Sequence, residues 1–227
     1  MGGRGASSSS GRGGGSAKGE LVLPSGSKIE FDGELKFGKK DTALSNEARK
    51  AIEAWEDKRV KMKVEYGYAT DADGNPIGSE VRGGKGSVRM PYQYTMGEGN
   101  IWTHVHPRGD GILGGTFSDA DMRVFASGKS QTARATAKEG TYSISKGANF
   151  DVTGFKSHIS KAQSDFNTNY KTLRKSVESA YISGKISYND YKMGSAKAFN
   201  TALVTLHNAY LDGQKQYGYT YTLERRN

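Results

Sequence analysis

Hydrophobic and polar positions divide the chain into four stretches. Residues 1–18, MGGRGASSSSGRGGGSAK, hold almost no apolar side chain, and this Gly/Ser-rich composition predicts a disordered tail. Residues 19–57 open with ELVLPSGSKIEFDGELKFG, whose alternation, broken at Pro24-Ser25-Gly26, predicts a β-hairpin. DTALSNEARKAIEAWEDKR follows and predicts a helix beginning near Ser45, with Ala51, Ile52 and Trp55 as a narrow apolar stripe.

Residues 58–152 are punctuated more densely. The turn Asp71-Ala72-Asp73-Gly74-Asn75-Pro76 and the glycines 83, 84 and 86 predict strand, turn, strand and strand. NIWTHVH reads as a further short strand, and SDADMRVFASG as a helix opened by Ser118 and closed near Gly128. SQTARATAKEGTYSISKG reads as a hairpin about Glu139-Gly140. In residues 153–227, Phe155, Ile159, Ala162, Phe166, Tyr170, Leu173, Val177 and Ala180 recur at helical spacing up to a break at Ser183-Gly184. A second helix starts near Ser187, which with Asp190 resembles a capping box, and QYGYTYTLE closes the chain as an edge strand. The fold class expected is α/β (α+β): a mixed sheet flanked by helices, then a C-terminal αα-hairpin.

Composition narrows the chemistry. Cysteine is absent, which excludes disulfides, thiolate metal sites and a cysteine nucleophile. Any metal must be held by His, Asp or Glu. The net charge is +9, with the surplus greatest in the last third. That surplus permits weak, salt-sensitive attraction to nucleic acid, and a solvated basic face explains it equally well. The Arg/Gly tail lacks the aromatic residues that stack on bases. No apolar run approaches a membrane span or a signal peptide, so a soluble, cytoplasmic protein is expected, with no membrane partner.

The stretch IWTHVHPRGDGILGGTFSDADM concentrates the candidate chemistry. In a strand, His104 and His106 point to the same face. Pro107 ends the ladder, which leaves both histidines at the strand's end, open to solvent. If Ser118 starts a helix, Asp121 lies one turn on. Two histidines and one aspartate would make a three-ligand site with a fourth position free for water. Read alone, Ser-x-x-Asp is an ordinary helix cap. Glu65, Glu80 and Glu98 precede the histidines as candidate bases. Glu65, in KVEYGY, lies in a strand pattern suited to a neighbouring position, whereas Glu98 sits in a turn. His158 and His207 read as packing or capping residues of the two long helices.

The order glutamate on an early strand, His-x-His-Pro, loop, Ser-x-x-Asp resembles the JAB/MPN metallopeptidases of the JAMM type and their RadC-like branch. The resemblance covers roughly residues 58–150. It implies that His104, His106 and Asp121 bind Zn2+, that Glu65 is the general acid/base, and that Ser118 stabilises the tetrahedral intermediate. It also implies hydrolysis of a peptide or isopeptide bond, with a protein or peptide substrate, including one of ubiquitin-like type. The chain's two ends resemble JAB-type modules found with phage head-morphogenesis proteins of the Mu F type, which implies phage structural proteins as partners and a phage-encoded or virion-associated setting. A non-catalytic module that binds a partner or nucleic acid is the alternative. Eleven residues separate His106 from Ser118, more than the family's usual spacing, so Asp110 stands beside Asp121 as a candidate third ligand. Gly109 to Gly115 reads as the place for substrate contact.

Overall fold

A computed structural model of the protein describes residues 15–109 and 111–226. Most of the stretch read as a disordered tail, and Asp110, lie outside the described residues. Ser16–Lys18, assigned to that tail, instead begin a strand: β1 (Ser16–Val22) pairs antiparallel with β2 (Lys28–Lys36). The reason is the partner strand, which supplies backbone hydrogen bonds that Gly/Ser-rich sequence does not reveal.

The remaining elements form a mixed α+β structure. They are α1 (Asn46–Arg59), β3 (Tyr66–Thr70), β4 (Val81–Arg82), α2 (Tyr92–Met96), β5 (Ile101–Val105), α3 (Asp119–Ser127), β6 (Thr132–Thr136), β7 (Gly140–Lys146), α4 (Val152–Ile182), α5 (Tyr188–Tyr217) and β8 (Tyr219–Arg225). Six strands make one sheet in the order β4-β3-β5-β6-β7-β8, parallel only between β5 and β6. The expected second and third strands after the Asp71 turn shrink to the two residues of β4, because the glycines that follow form turns. The short α2 was not anticipated.

Alternation along the strands gives the sheet two unlike faces. Ala133, Ala135, Tyr142, Ile144, Tyr221 and Leu223 face the apolar core, where Phe125, Phe155, Leu203, Leu206 and Tyr210 of the helices meet them. The other face carries Thr103, Arg134, Thr141, Ser143 and Glu224, all buried. There Glu56 of α1 accepts from Arg134 Nε at 2.8 Å and Thr103 Oγ1 at 2.7 Å, while Arg134 Nη2 reaches Glu224 at 3.3 Å. Helix α1 buries Ala48 and Ile52 in a small apolar cluster with Leu44 and Ile101 and turns Glu56 to the charged network, so of the expected stripe Ile52 is buried while Ala51 and Trp55 are half-buried.

Helix α5 does two jobs. Leu203, Leu206 and Tyr210 fill the core, while its polar side chains bond the backbone of β2. Asn200 donates to the Glu30 carbonyl, Asn208 to that of Glu34, and Thr201 Oγ1 accepts from the Asp32 N–H. An otherwise open hairpin edge is covered in this way. The αα-hairpin has the expected bounds, with Ser187 and Asp190 forming a reciprocal capping box. Only the first three turns of α4 are deeply buried, at Phe155, Ile159 and Ala162, so the far half of the hairpin extends beyond the core. Among the described residues, no helix is long and apolar enough to cross a membrane.

Candidate metal centre

The parallel pairing of β5 and β6 assembles the site. A helix that connects two parallel strands runs back against them, so its first turn lies at the carboxyl end of the preceding strand. The amino end of α3 therefore meets the end of β5. His104 is the fourth residue of β5, and His106 continues its backbone pairing, donating its N–H to the Thr136 carbonyl at 2.8 Å. The two Nε2 atoms are 2.8 Å apart, and His104 Nε2 is 3.6 Å from Asp121 Oδ2. One ligand atom from each of the three residues lies within 4.8 Å of the other two. His104 is 2% exposed, so the expectation of two solvent-open histidines fails for it; Trp102, Phe117 and α3 cover the end of the strand.

Ser118 and Asp121 serve as both helix cap and site. Ser118 caps α3, accepting the Asp121 N–H, and its own N–H and Oγ–H donate to Asp121 Oδ2 at 2.8 and 2.7 Å. The ordinary cap fixes the carboxylate that faces His104. The Ser118 hydroxyl thereby bonds Asp121 while the residue itself lines the cleft above the site.

The long loop between His106 and Ser118 is tied down at several points. Leu113 and Phe117 are buried; the Leu113 N–H donates to Asn200 Oδ1, and Asn200 Nδ2 to the Gly111 carbonyl, both at 2.9 Å. Glu139 Oε1 accepts from the N–H groups of Gly114 and Gly115 and from the Tyr142 hydroxyl. Gly115 adopts φ +95°, and a Cβ on Gly114 would collide with that of Ala137, so both positions need glycine. The Gly115 carbonyl then lies 2.9 Å from His106 Nδ1. Glu139 and Asn200 escaped sequence reasoning: Glu139 reads as a turn residue, although a polar side chain on the core-facing side of α5 was a usable signal for Asn200.

Of the three candidate bases, the structure brings Glu65 to the site. It sits immediately before β3, its N–H donating to the Gly84 carbonyl and its carbonyl accepting from Gly83. Glu80 is held by Trp55 Nε1 and Arg59, and Glu98 is exposed in the turn before β5. A cleft of about 270 Å³ opens over the three side chains, walled by Glu65, Val88, Arg108, Phe117 and Phe199.

Burial and proximity reshape the charges. Burial raises the Glu65 pKa, as does Asp121, and this outweighs the attraction of His104 and Arg108. For Asp121, burial is overcome by His104, His106 and the Ser118 hydroxyl, which hold its pKa below the usual carboxylate range. His104 is likewise desolvated, yet Asp121 and Glu65 raise its pKa. Burial and the charge on His104 push His106 down to about 4. His106 is therefore neutral, and with Nδ1–H given to Gly115 its Nε2 lone pair faces inward. His104 Nδ1 is buried and faces the Arg134 backbone, whose hydrogen bond adds to the upward push on the His104 pKa.

This donor set suits a divalent cation. A tetrahedral ion with bonds of about 2.0–2.1 Å separates its donors by roughly 3.3 Å, between the 2.8 and 3.6 Å observed. A cation would take the place of the direct contact between the two facing Nε2 atoms. His158 and His207 take no part: His158 Nε2 meets the Ala209 carbonyl, and His207 bridges the Tyr221 hydroxyl and the Lys36 carbonyl, as packing residues do. Compared with known proteins, the chain matches no family model, no curated protein and no solved structure.

Proposed function

We propose that the protein is a zinc-dependent hydrolase of JAB/MPN type that cleaves a peptide or isopeptide bond, with His104, His106 and Asp121 as ligands and Glu65 as general acid/base. The carrying observation is the convergence of three ligand atoms within 4.8 Å at the foot of a cleft that also holds Glu65. Two imidazoles and a carboxylate leave a fourth position open, as hydrolytic rather than structural zinc requires. When bound, the ion supplies Lewis acidity, polarising the scissile carbonyl and lowering the pKa of water. Glu65, its pKa raised by burial, takes one proton from the attacking water. The hydroxyl adds to the carbonyl carbon, the C–N bond breaks, and Glu65 passes the proton to the departing amine. Ser118, on the wall of the cleft, holds Asp121 and stabilises the tetrahedral intermediate, the role that the resemblance implies for it.

The test is metal analysis of the purified protein beside His106→Ala and Asp121→Ala. One zinc per chain, lost in both variants, is the expected result. A metal-free wild type whose melting is unchanged by added zinc overturns the reading. With metal retained, Glu65→Gln should abolish peptide hydrolysis. A second reading, a non-catalytic module in a phage-related assembly, is supported by the exposed Ile182, Tyr188 and Met193 at the far end of the α4–α5 hairpin.

A further inference from the structure

Beside the metal centre, a second and larger groove of about 840 Å³ runs between the α4–α5 hairpin, the start of β2 and the loop after β5. Arg108 and Phe199 line both this groove and the cleft over His104, so the two adjoin at these side chains. We propose that the groove binds an acidic polypeptide segment and leads it to the metal centre. The proposal rests on the hydrolase reading only for calling that segment a substrate.

Charge is the first reason. Among the described lining residues, Lys28, Arg108, Arg174, Lys192 and Lys197 face one carboxylate, Glu30. Lys28 and Lys197 pair with Glu20 at 3.3 Å and Asp32 at 2.8 Å, exposed contacts that a ligand carboxylate can exchange at little cost. Arg108, Arg174 and Lys192 form no salt bridge with a described carboxylate: Arg108 lies over the Phe199 ring, Lys192 over that of Tyr188, and Arg174 bonds the Tyr191 hydroxyl with Glu178 nearby, which leaves their remaining N–H donors for an incoming anion.

The aromatic residues decide between a peptide and a nucleic acid. Single-stranded nucleic acid gains affinity by stacking bases on open ring faces. Here the lining rings already have partners within the protein. Arg108 lies over the Phe199 ring at 5.7 Å, and Phe199 meets Phe166 and Tyr170 edge to face at 6.0 and 5.4 Å. Tyr191 is stacked with Tyr181 at 5.0 Å and with Tyr188 at 6.3 Å. What remains is a channel with basic side chains over a largely apolar lining, suited to carboxylate side chains on an extended backbone.

The experiment measures fluorescence anisotropy of a labelled Glu/Gly peptide, the same peptide with Gln for Glu, and a labelled single-stranded oligonucleotide of equal charge. The proteins are the full chain, Arg174→Glu/Lys192→Glu, Lys58→Glu/Lys61→Glu as a charge-matched control on another surface, and His106→Ala. The acidic peptide should bind in a salt-sensitive manner, and the Gln peptide should bind roughly tenfold more weakly. The groove variant should lose roughly tenfold or more in affinity, while the control and His106→Ala retain it. Equal loss in both double variants, absence of peptide binding, or tighter oligonucleotide binding lost in the groove variant would overturn the proposal. A wild-type protein that binds the peptide yet holds no zinc would sink the hydrolase reading and leave the groove assignment standing.

Discussion

His106 Nδ1 lies 2.9 Å from the Gly115 carbonyl oxygen, and the Gly115 N–H donates to Glu139 Oε1 at 3.3 Å. Through one glycine, a buried carboxyl group on the β6–β7 turn sets the orientation and tautomer of a ring in the candidate metal centre. Burial raises the Glu139 pKa against the pull of its N–H donors and the Tyr142 hydroxyl.

Glutamine keeps the shape of the glutamate side chain, and its Oε1 can still accept the two glycine N–H groups. Glu139→Gln should therefore keep zinc affinity close to wild type. Glu139→Ala should weaken it by about 10–100-fold, the usual effect of losing an outer partner of a ligand. Competition with a chromophoric chelator reads both, and equal affinities in all three proteins would refute the relay.

Asn200 satisfies three backbone groups at once: the Leu113 N–H and the carbonyls of Gly111 and Glu30. Asn200→Ala strands them in a buried place and should cost about 2–4 kcal/mol. Urea unfolding measures the loss. Limited proteolysis should show faster cleavage between residues 109 and 115, since the loop loses its anchor to α5.

On the opposite face of the sheet, Glu56→Ala leaves the Arg134 guanidinium buried without its closest carboxylate. Breaking such a pair costs about 3–5 kcal/mol. Zinc content should be unchanged, because Glu56 and His104 lie on opposite sides of β5. A variant that loses metal while retaining full stability would contradict this separation.

Burial and the nearby Lys36 charge lower the His207 pKa to about 4, against the help of the Lys36 carbonyl. Between that value and the ordinary 6.5 or so, the unfolded chain binds a proton that the folded chain refuses. Stability from this residue is thus fully present above about pH 6.5 and falls as pH drops toward 4, by about 3 kcal/mol in all. Denaturant midpoints measured across that window should show the slope, and His207→Gln should flatten part of it.

Much of this molecule follows from local sequence. Hairpin turns, the helices opened by Ser45, Ser118 and Ser187, and the αα-hairpin are properties of neighbouring residues, because capping and periodicity act over a few positions. The same holds for the shared face of His104 and His106. Tertiary structure decided what neighbours cannot. The parallel β5–β6 pairing placed the first turn of α3 at the end of β5, and so brought Asp121 to His104 across a long loop. Packing sealed His104 from solvent, chose Glu65 over Glu80 and Glu98, and gave Glu56, Glu139 and Asn200 buried partners. Such contacts join residues many positions apart, where the free energy depends on desolvation and on a partner that no local spacing reveals.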